Sequence, residues 1–146
     1  MPSLTFTGLQ KVQLTTKNYT YSDLHLDVTN PIVKDIVADY DENAIRNSIY
    51  NLFNTVPGQN LLNPEYGLNL IKYLFEPINE YNGREIGSAI INGLATYEPR
   101  VVVDNIDIQI NENEQTYYIT LSIVMPTLNS QLQVAGTLTK TGFILT

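Results

Sequence analysis

The chain has no cysteine, no tryptophan, a single histidine, and only eight basic residues against fifteen acidic ones. Each shortage removes a class of function. Without cysteine there is no disulfide, no thiolate metal site and no cysteine nucleophile, and nothing argues for an oxidising compartment. Serine chemistry needs a base beside the nucleophile. The one histidine, His25, stands between Leu24 and Leu26 in an alternating run and is read as facing the polar side, and no serine lies in a nucleophile-elbow sequence. No tryptophan is available as a sugar-stacking platform. The basic residues Lys11, Lys17, Lys34, Arg46, Lys72, Arg84, Arg100 and Lys140 are scattered, and the net charge is −7. Phosphate backbones are bound by concentrated positive charge, so nucleic acid and anionic membrane are poor partners. No apolar run approaches the ~20 residues that span a bilayer. The start lacks the basic and apolar regions of a signal peptide.

What is present is patterning for one α+β domain in 146 residues. Residues 1–38 read as an extended N-terminal arm. Short alternations occur at Leu4–Phe6, Val12–Leu14 and Leu24–Val28, and Asn30-Pro31 marks a turn. Residues 39–146 read as the domain. Ile45, Ile49, Leu52 and Phe53 follow helical spacing and predict a helix over 41–54, capped by Asp39 or Asp41. Pro57-Gly58 ends it, and Asn63-Pro64-Glu65-Tyr66-Gly67 is a second turn. A short helix over about 68–75 is expected to turn Leu70, Ile71, Leu74 and Phe75 inward, stopped by Glu76-Pro77. A third helix near 79–97 carries Ile86, Ala89, Ile90, Gly93, Leu94 and Tyr97 on one face. Gly87 and Gly93 each cost it about 1 kcal/mol relative to alanine, which predicts close approach of another backbone.

The period then changes to two. Val102, Ile106, Ile108 and Ile110, then Tyr117, Ile119, Leu121, Ile123 and Met125, then Leu132, Val134 and Leu138 mark successive strands of an antiparallel meander. Phe143-Ile144-Leu145 forms an apolar end. The fold class is about three helices packed on a small, mostly antiparallel sheet.

Candidate chemistry is thin. Asp104, Asp107, Glu112 and Glu114 are acidic but lack calcium-loop spacing, so a solvated strand and turn is expected and no metal or cofactor is assigned. Glu76 and Glu98, each before a proline, are the one carboxylate pair for a glycosidase, which needs two such groups across a cleft. No residue is assigned a catalytic role. Tyr97-Glu98-Pro99-Arg100 is the most distinctive string: a stiff, charged helix-to-strand junction. Glu98 and Arg100 either brace that junction or project from it to dock a partner, where arginine offers a planar fork for a carboxylate.

Ala44-Ile45-Arg46-Asn47-Ser48-Ile49, Pro57-Gly58, Asn63-Pro64-Glu65-Tyr66-Gly67, Leu74-Phe75-Glu76-Pro77 and Tyr97-Glu98-Pro99-Arg100 occur in this order. Together they resemble the baseplate wedge and sheath-initiator subunits of contractile phage tails, a family also found in type VI secretion and related contractile injection systems. The resemblance covers roughly residues 20–125. It departs where Gln59-Asn60 follows Pro57-Gly58, since the family often has an acidic then a basic residue there. The resemblance implies a structural subunit of the virion tail baseplate, set in a six-fold ring. It implies that Glu98, Pro99 and Arg100 contact the core bundle of larger wedge proteins, and that the sheet accepts terminal arms of the first sheath ring. Tube or hub proteins are further partners. Members were once labelled lysozyme-like, and a peptidoglycan-degrading enzyme using Glu76 and Glu98 is the alternative.

An exposed sheet edge is a template for strand addition. The candidate edge runs near Gln131–Leu138, with Val134 and Leu138 as the register-setting apolar residues, and Phe143–Leu145 beside it. The alternative is that the arm near 4–14 covers this edge. Arg100→Ala is expected to leave the domain folded and to weaken wedge assembly.

Overall fold

The computed structural model describes residues 18–24 and 38–146. His25 and the alternations at Leu4–Phe6, Val12–Leu14 and Leu26–Val28 lie outside the described residues, as does most of the expected arm. The elements are β1 (Ser22–Leu24), β2 (Ala38–Tyr40), α1 (Asp41–Asn54), a 3-10 helix (Ile71–Phe75), α2 (Glu80–Tyr97), β3 (Val102–Asn111), β4 (Thr116–Met125), β5 (Ser130–Thr139) and β6 (Gly142–Leu145). The fold is α+β, with α1, α2 and the 3-10 helix beside the sheet.

The main sheet is an antiparallel meander in the order β3-β4-β5-β6. Alternation along β4 buries Tyr117, Ile119, Leu121, Ile123 and Met125. Each such side chain contributes about 1.5–3 kcal/mol by leaving water. Their facing layer is Ile45, Ile49, Leu52 and Phe53 of α1 and Ile86, Ile90 and Leu94 of α2. Phe53 meets Phe143 of β6 edge-on at 5.1 Å. The opposite face of the sheet is the more polar one, as in a one-sided antiparallel sheet.

Several local expectations change. Val102 is exposed, whereas Val103 joins the core cluster. A bulge between Val103 and Asn105 resets the alternation before Ile106. Phe75 is 77% exposed, not inward, because the segment is a tight 3-10 turn that buries Tyr73 and Leu74 instead. The α1 N-cap is Tyr40, with no side-chain cap. Asp41 has a positive φ and its carboxylate accepts the Thr20 and Tyr21 N–H groups instead, while Asp39 accepts from the Asn47 amide. Helix α2 has a side-chain cap, the Asn79 oxygen accepting the Asn82 N–H at 2.8 Å. Gly93 is approached by the Leu68 side chain rather than by backbone; a Cβ there would lie 2.3 Å from it.

Candidate functional site

Helix α2 ends because Pro99 cannot continue it. The Val101 N–H returns to the Glu98 carbonyl, making a turn with Pro99 and Arg100 at its centre. The turn leaves Pro99 exposed and Arg100 half-buried, and directs Glu98 inward to 2% exposure. Arg100 grips that buried carboxylate with both sides of its fork: Nε to Oε1 at 2.5 Å and Nη2 to Oε2 at 2.7 Å. Its third nitrogen, Nη1, donates to Asp23 Oδ2 at 3.0 Å. The guanidinium carbon sits 5.3 Å from the Tyr21 ring centroid. These bonds hold the Arg100 pKa above its ordinary value, the Glu98 hydrogen bonds most of all; burial opposes them and Asp23 adds to them. The guanidinium is therefore a fixed cation.

The corner is supported from behind by the second turn motif. The Tyr97 hydroxyl donates to the Glu65 carbonyl at 2.6 Å, and Tyr66 packs edge-on against Tyr97 at 5.4 Å. Burial, then the charge of Glu98, push the Tyr66 phenol above its ordinary pKa. Gly67 lets the chain pass this point: its φ is +116°, and a Cβ would stand 2.3 Å from the Thr55 carbonyl oxygen. The two turn motifs, some thirty residues apart in sequence, are thus one structure. Asp23 and Tyr21 are the members that sequence patterning missed, while Tyr66 was visible only as part of a turn and not as a neighbour of this corner. Only the common charge logic of a lone arginine among carboxylates hints at Asp23, and nothing local points to it.

A cavity of about 460 Å³ adjoins the corner through Asp23 and Tyr66, floored by Ala44, Asn47, Ser48 and Asn51 of α1. A second, of about 420 Å³, lies between α2 and β3. Neither Glu76 nor Glu98 lines either one. Glu76 is exposed at the end of the 3-10 helix, while the Glu98 carboxylate is engaged by Arg100. Among the described residues no group of three or more His, Asp or Glu side chains is placed to hold a metal ion.

The other predicted site residues are Val134 and Leu138. Both side chains are buried in the core. Leu138 pairs with Phe143, so β6 covers the second half of β5. Asn54 of α1 reaches the far side of β6, donating to the Phe143 carbonyl at 3.1 Å and accepting its N–H at 2.9 Å. The Thr146 N–H bonds the Ala135 carbonyl, so Ala135, Thr137 and Thr139 face β6. By alternation, the main-chain groups of Gln131 and Gln133 also point to that side, where β6 no longer runs. Among the described residues, the open edge of β5 is therefore its first half. By the same alternation, β3 has the other open edge among the described residues: Ile106, Ile108 and Ile110 direct their main-chain groups away from β4.

The family model described as Baseplate wedge protein gp25 matches residues 39–130. Baseplate wedge protein gp25 of Enterobacteria phage T4 is 27% identical over 84 residues, 58% of this chain and 64% of that protein. The chain thus spans just under two thirds of the relative it matches. A solved structure from Geobacter sulfurreducens, described as a tail lysozyme, has a TM-score of 0.56 and 19% identity. It covers 64% of this chain and 85% of that one, a likeness of fold.

Proposed function

The chain belongs to the baseplate wedge family, and we propose that it is a structural subunit of a contractile-tail baseplate that docks on the wedge core bundle and starts the sheath. The virion tail, assembled in the host cytoplasm, is its place in this reading. The observation that carries it is the Glu98–Arg100 fork on an exposed proline corner. A buried carboxylate holds the guanidinium in one orientation, so docking costs little further ordering of that side chain. Pro99 and Arg100 offer the contact surface and Glu98 is the brace.

Sheath arms add to the open half of β5, pairing with the main chain of Gln131 and Gln133. Val134 contributes by holding the strand's register from the core side, and Leu138 by anchoring the half that β6 covers. The edge carries no charge from Ser130 to Thr139 to oppose a partner strand. The lysozyme-like alternative has against it that Glu98 is buried and held by Arg100, while Glu76 is exposed.

Co-expression with the wedge and sheath proteins of the same tail tests both parts. Arg100→Lys keeps a charge beside Glu98 but removes the planar fork. It should fold and lose co-purification with wedge partners; undiminished co-purification refutes the docking corner. Gln133→Pro removes one outward N–H from an edge position that tolerates proline. It should slow sheath growth, and normal growth refutes the edge. Clearing of peptidoglycan by the purified chain, lost in Glu98→Gln, would favour the enzyme instead.

A further inference from the structure

The loop between α1 and the 3-10 helix is ordered from within. The Gly58 N–H donates to the Pro64 carbonyl at 2.7 Å and closes it. The Asn60 side-chain oxygen accepts the N–H groups of Leu62 and Asn63 at 3.1 and 3.3 Å, and the Gln59 oxygen accepts that of Val56 at 3.0 Å. At the head of this loop stand Leu61 and Leu62, 93% and 97% exposed. Single leucines scattered over a surface are ordinary. Two adjacent ones, held out by a hydrogen-bonded backbone, form a preorganised apolar knob. The chain carries a net charge of −7, yet no charged residue occurs from Asn51 to Pro64.

A matching hollow lies elsewhere on the same chain. The cavity of about 420 Å³ between α2 and β3 is lined by Gly83, Gly87, Ile91, Ile106, Ile108 and Ile110. Internal packing does not require its glycines. A Cβ on Gly83 would come no closer than 3.7 Å to Ile110, and one on Gly87 would come to 3.4 Å from Ile108. Glycine costs a helix stability relative to alanine, so what the missing methyl groups provide is room. The charges at the rim, Glu80 and Arg84, pair with each other at 2.6 Å. Apolar walls and a self-neutralised rim suit an uncharged knob. The two cannot meet within one chain. The bond from the Tyr97 hydroxyl to the Glu65 carbonyl roots the base of the knob at the C-terminal end of α2. Gly83 and Gly87 lie in the first half of that helix, about 15–20 Å away along its axis.

We infer that Leu61 and Leu62 of one copy insert into the α2–β3 hollow of a second copy of this chain. Knob and hollow are different patches, so the contact is head-to-tail and leaves one free knob and one free hollow at the ends of a row. Two leucines bury far less than the about 1,200 Å² of a stable interface, so the contact is transient between free copies and counts where copies are gathered together. It rests on the reading above only for the assembly that gathers them.

Sedimentation equilibrium of the full chain from about 0.01 to 1 mM measures the pairing. The mean mass should rise with concentration. Leu61→Ser/Leu62→Ser removes the knob, and Ile91→Glu blocks the hollow at a position already 42% exposed. Each alone should pair about tenfold more weakly than the native chain. Gly83→Ala/Gly87→Ala fills the hollow with two methyl groups. It should raise the thermal midpoint yet weaken pairing about threefold, which no folding defect would do. An equimolar mixture of the Leu61→Ser/Leu62→Ser and Ile91→Glu variants should regain native affinity and stop at a one-to-one dimer, because it holds one intact knob and one intact hollow. A native chain that stays monomeric throughout, native pairing by the leucine variant, or a mixture that fails to pair would each overturn the proposal. All these variants retain Pro99 and Arg100, so co-purification with wedge partners should persist in them. Its persistence in Arg100→Lys would count against the docking corner alone.

Discussion

Arg100→Ala exposes the energetics of the docking corner. In the native chain Glu98 is 2% exposed and receives two bonds from a guanidinium whose side chain is 23% exposed. Removing one member of a buried ion pair costs about 3–5 kcal/mol, chiefly because the other charge is left unpaired. Arginine here is about a quarter open to water, which softens the penalty to about 2–4 kcal/mol. A domain of this size has about 5–15 kcal/mol in all, so the variant folds with a thin margin and melts roughly 10 °C lower. Urea unfolding followed by circular dichroism measures the loss. Two companions identify its cause. Glu98→Gln in the Arg100→Ala background removes the stranded charge and should recover about 1–2 kcal/mol. Asp23→Ala removes the more exposed contact and should cost under about 1 kcal/mol. A loss below about 1 kcal/mol for Arg100→Ala, or no recovery with glutamine, would refute the buried-brace reasoning. The same numbers explain why Arg100→Lys is the cleaner docking probe: weak wedge assembly by Arg100→Ala would mix lost contact with lost stability.

Further outcomes follow from the sheet and core. A Cβ on Gly136 would stand 2.5 Å from the Ile144 carbonyl and 2.4 Å from the Phe143 ring, so Gly136→Ala should cost about 2–3 kcal/mol and unprotect the β6 amides in hydrogen exchange. Asn54→Ala removes two side-chain bonds to Phe143 and should cost about 1–2 kcal/mol by urea unfolding, with β6 loosened first. The Tyr117 hydroxyl is buried without a well-formed hydrogen bond, so Tyr117→Phe should be neutral or stabilising by up to about 1 kcal/mol. Burial, foremost, raises the Tyr117 and Tyr66 phenols above their unfolded value of 10.0. Their neutral forms are favoured by the fold, so this stability is full below pH 10.0 and is lost as pH rises through the folded values. Thermal midpoints measured from neutral to alkaline pH should fall less steeply in Tyr66→Phe and Tyr117→Phe than in the native chain.

Sequence alone determined the parts of this protein that depend on local periodicity. The stripes Ile45–Phe53 and Ile86–Leu94 made α1 and α2, and strict alternation along Tyr117–Met125 made β4, because burial on one face imposes the period of the element. The same locality explains the misses. A bulge at Asp104 shifted the face of Val102, and a 3-10 turn put Phe75 outside; neither leaves a mark in periodicity. The corner at Glu98-Pro99-Arg100 was visible as a string, yet sequence left two readings of Glu98 open. Tertiary structure decided that the carboxylate turns inward to 2% exposure, where the Arg100 fork bonds it and where its charge is felt by Tyr66, a residue that a fold-back of the chain brings near. It likewise decided which edges are open among the described residues, since β6 covers the second half of β5 and Asn54 caps the far side of β6 at Phe143. Pairing partners and exposure are properties of where distant segments meet, and only the folded chain brings them together.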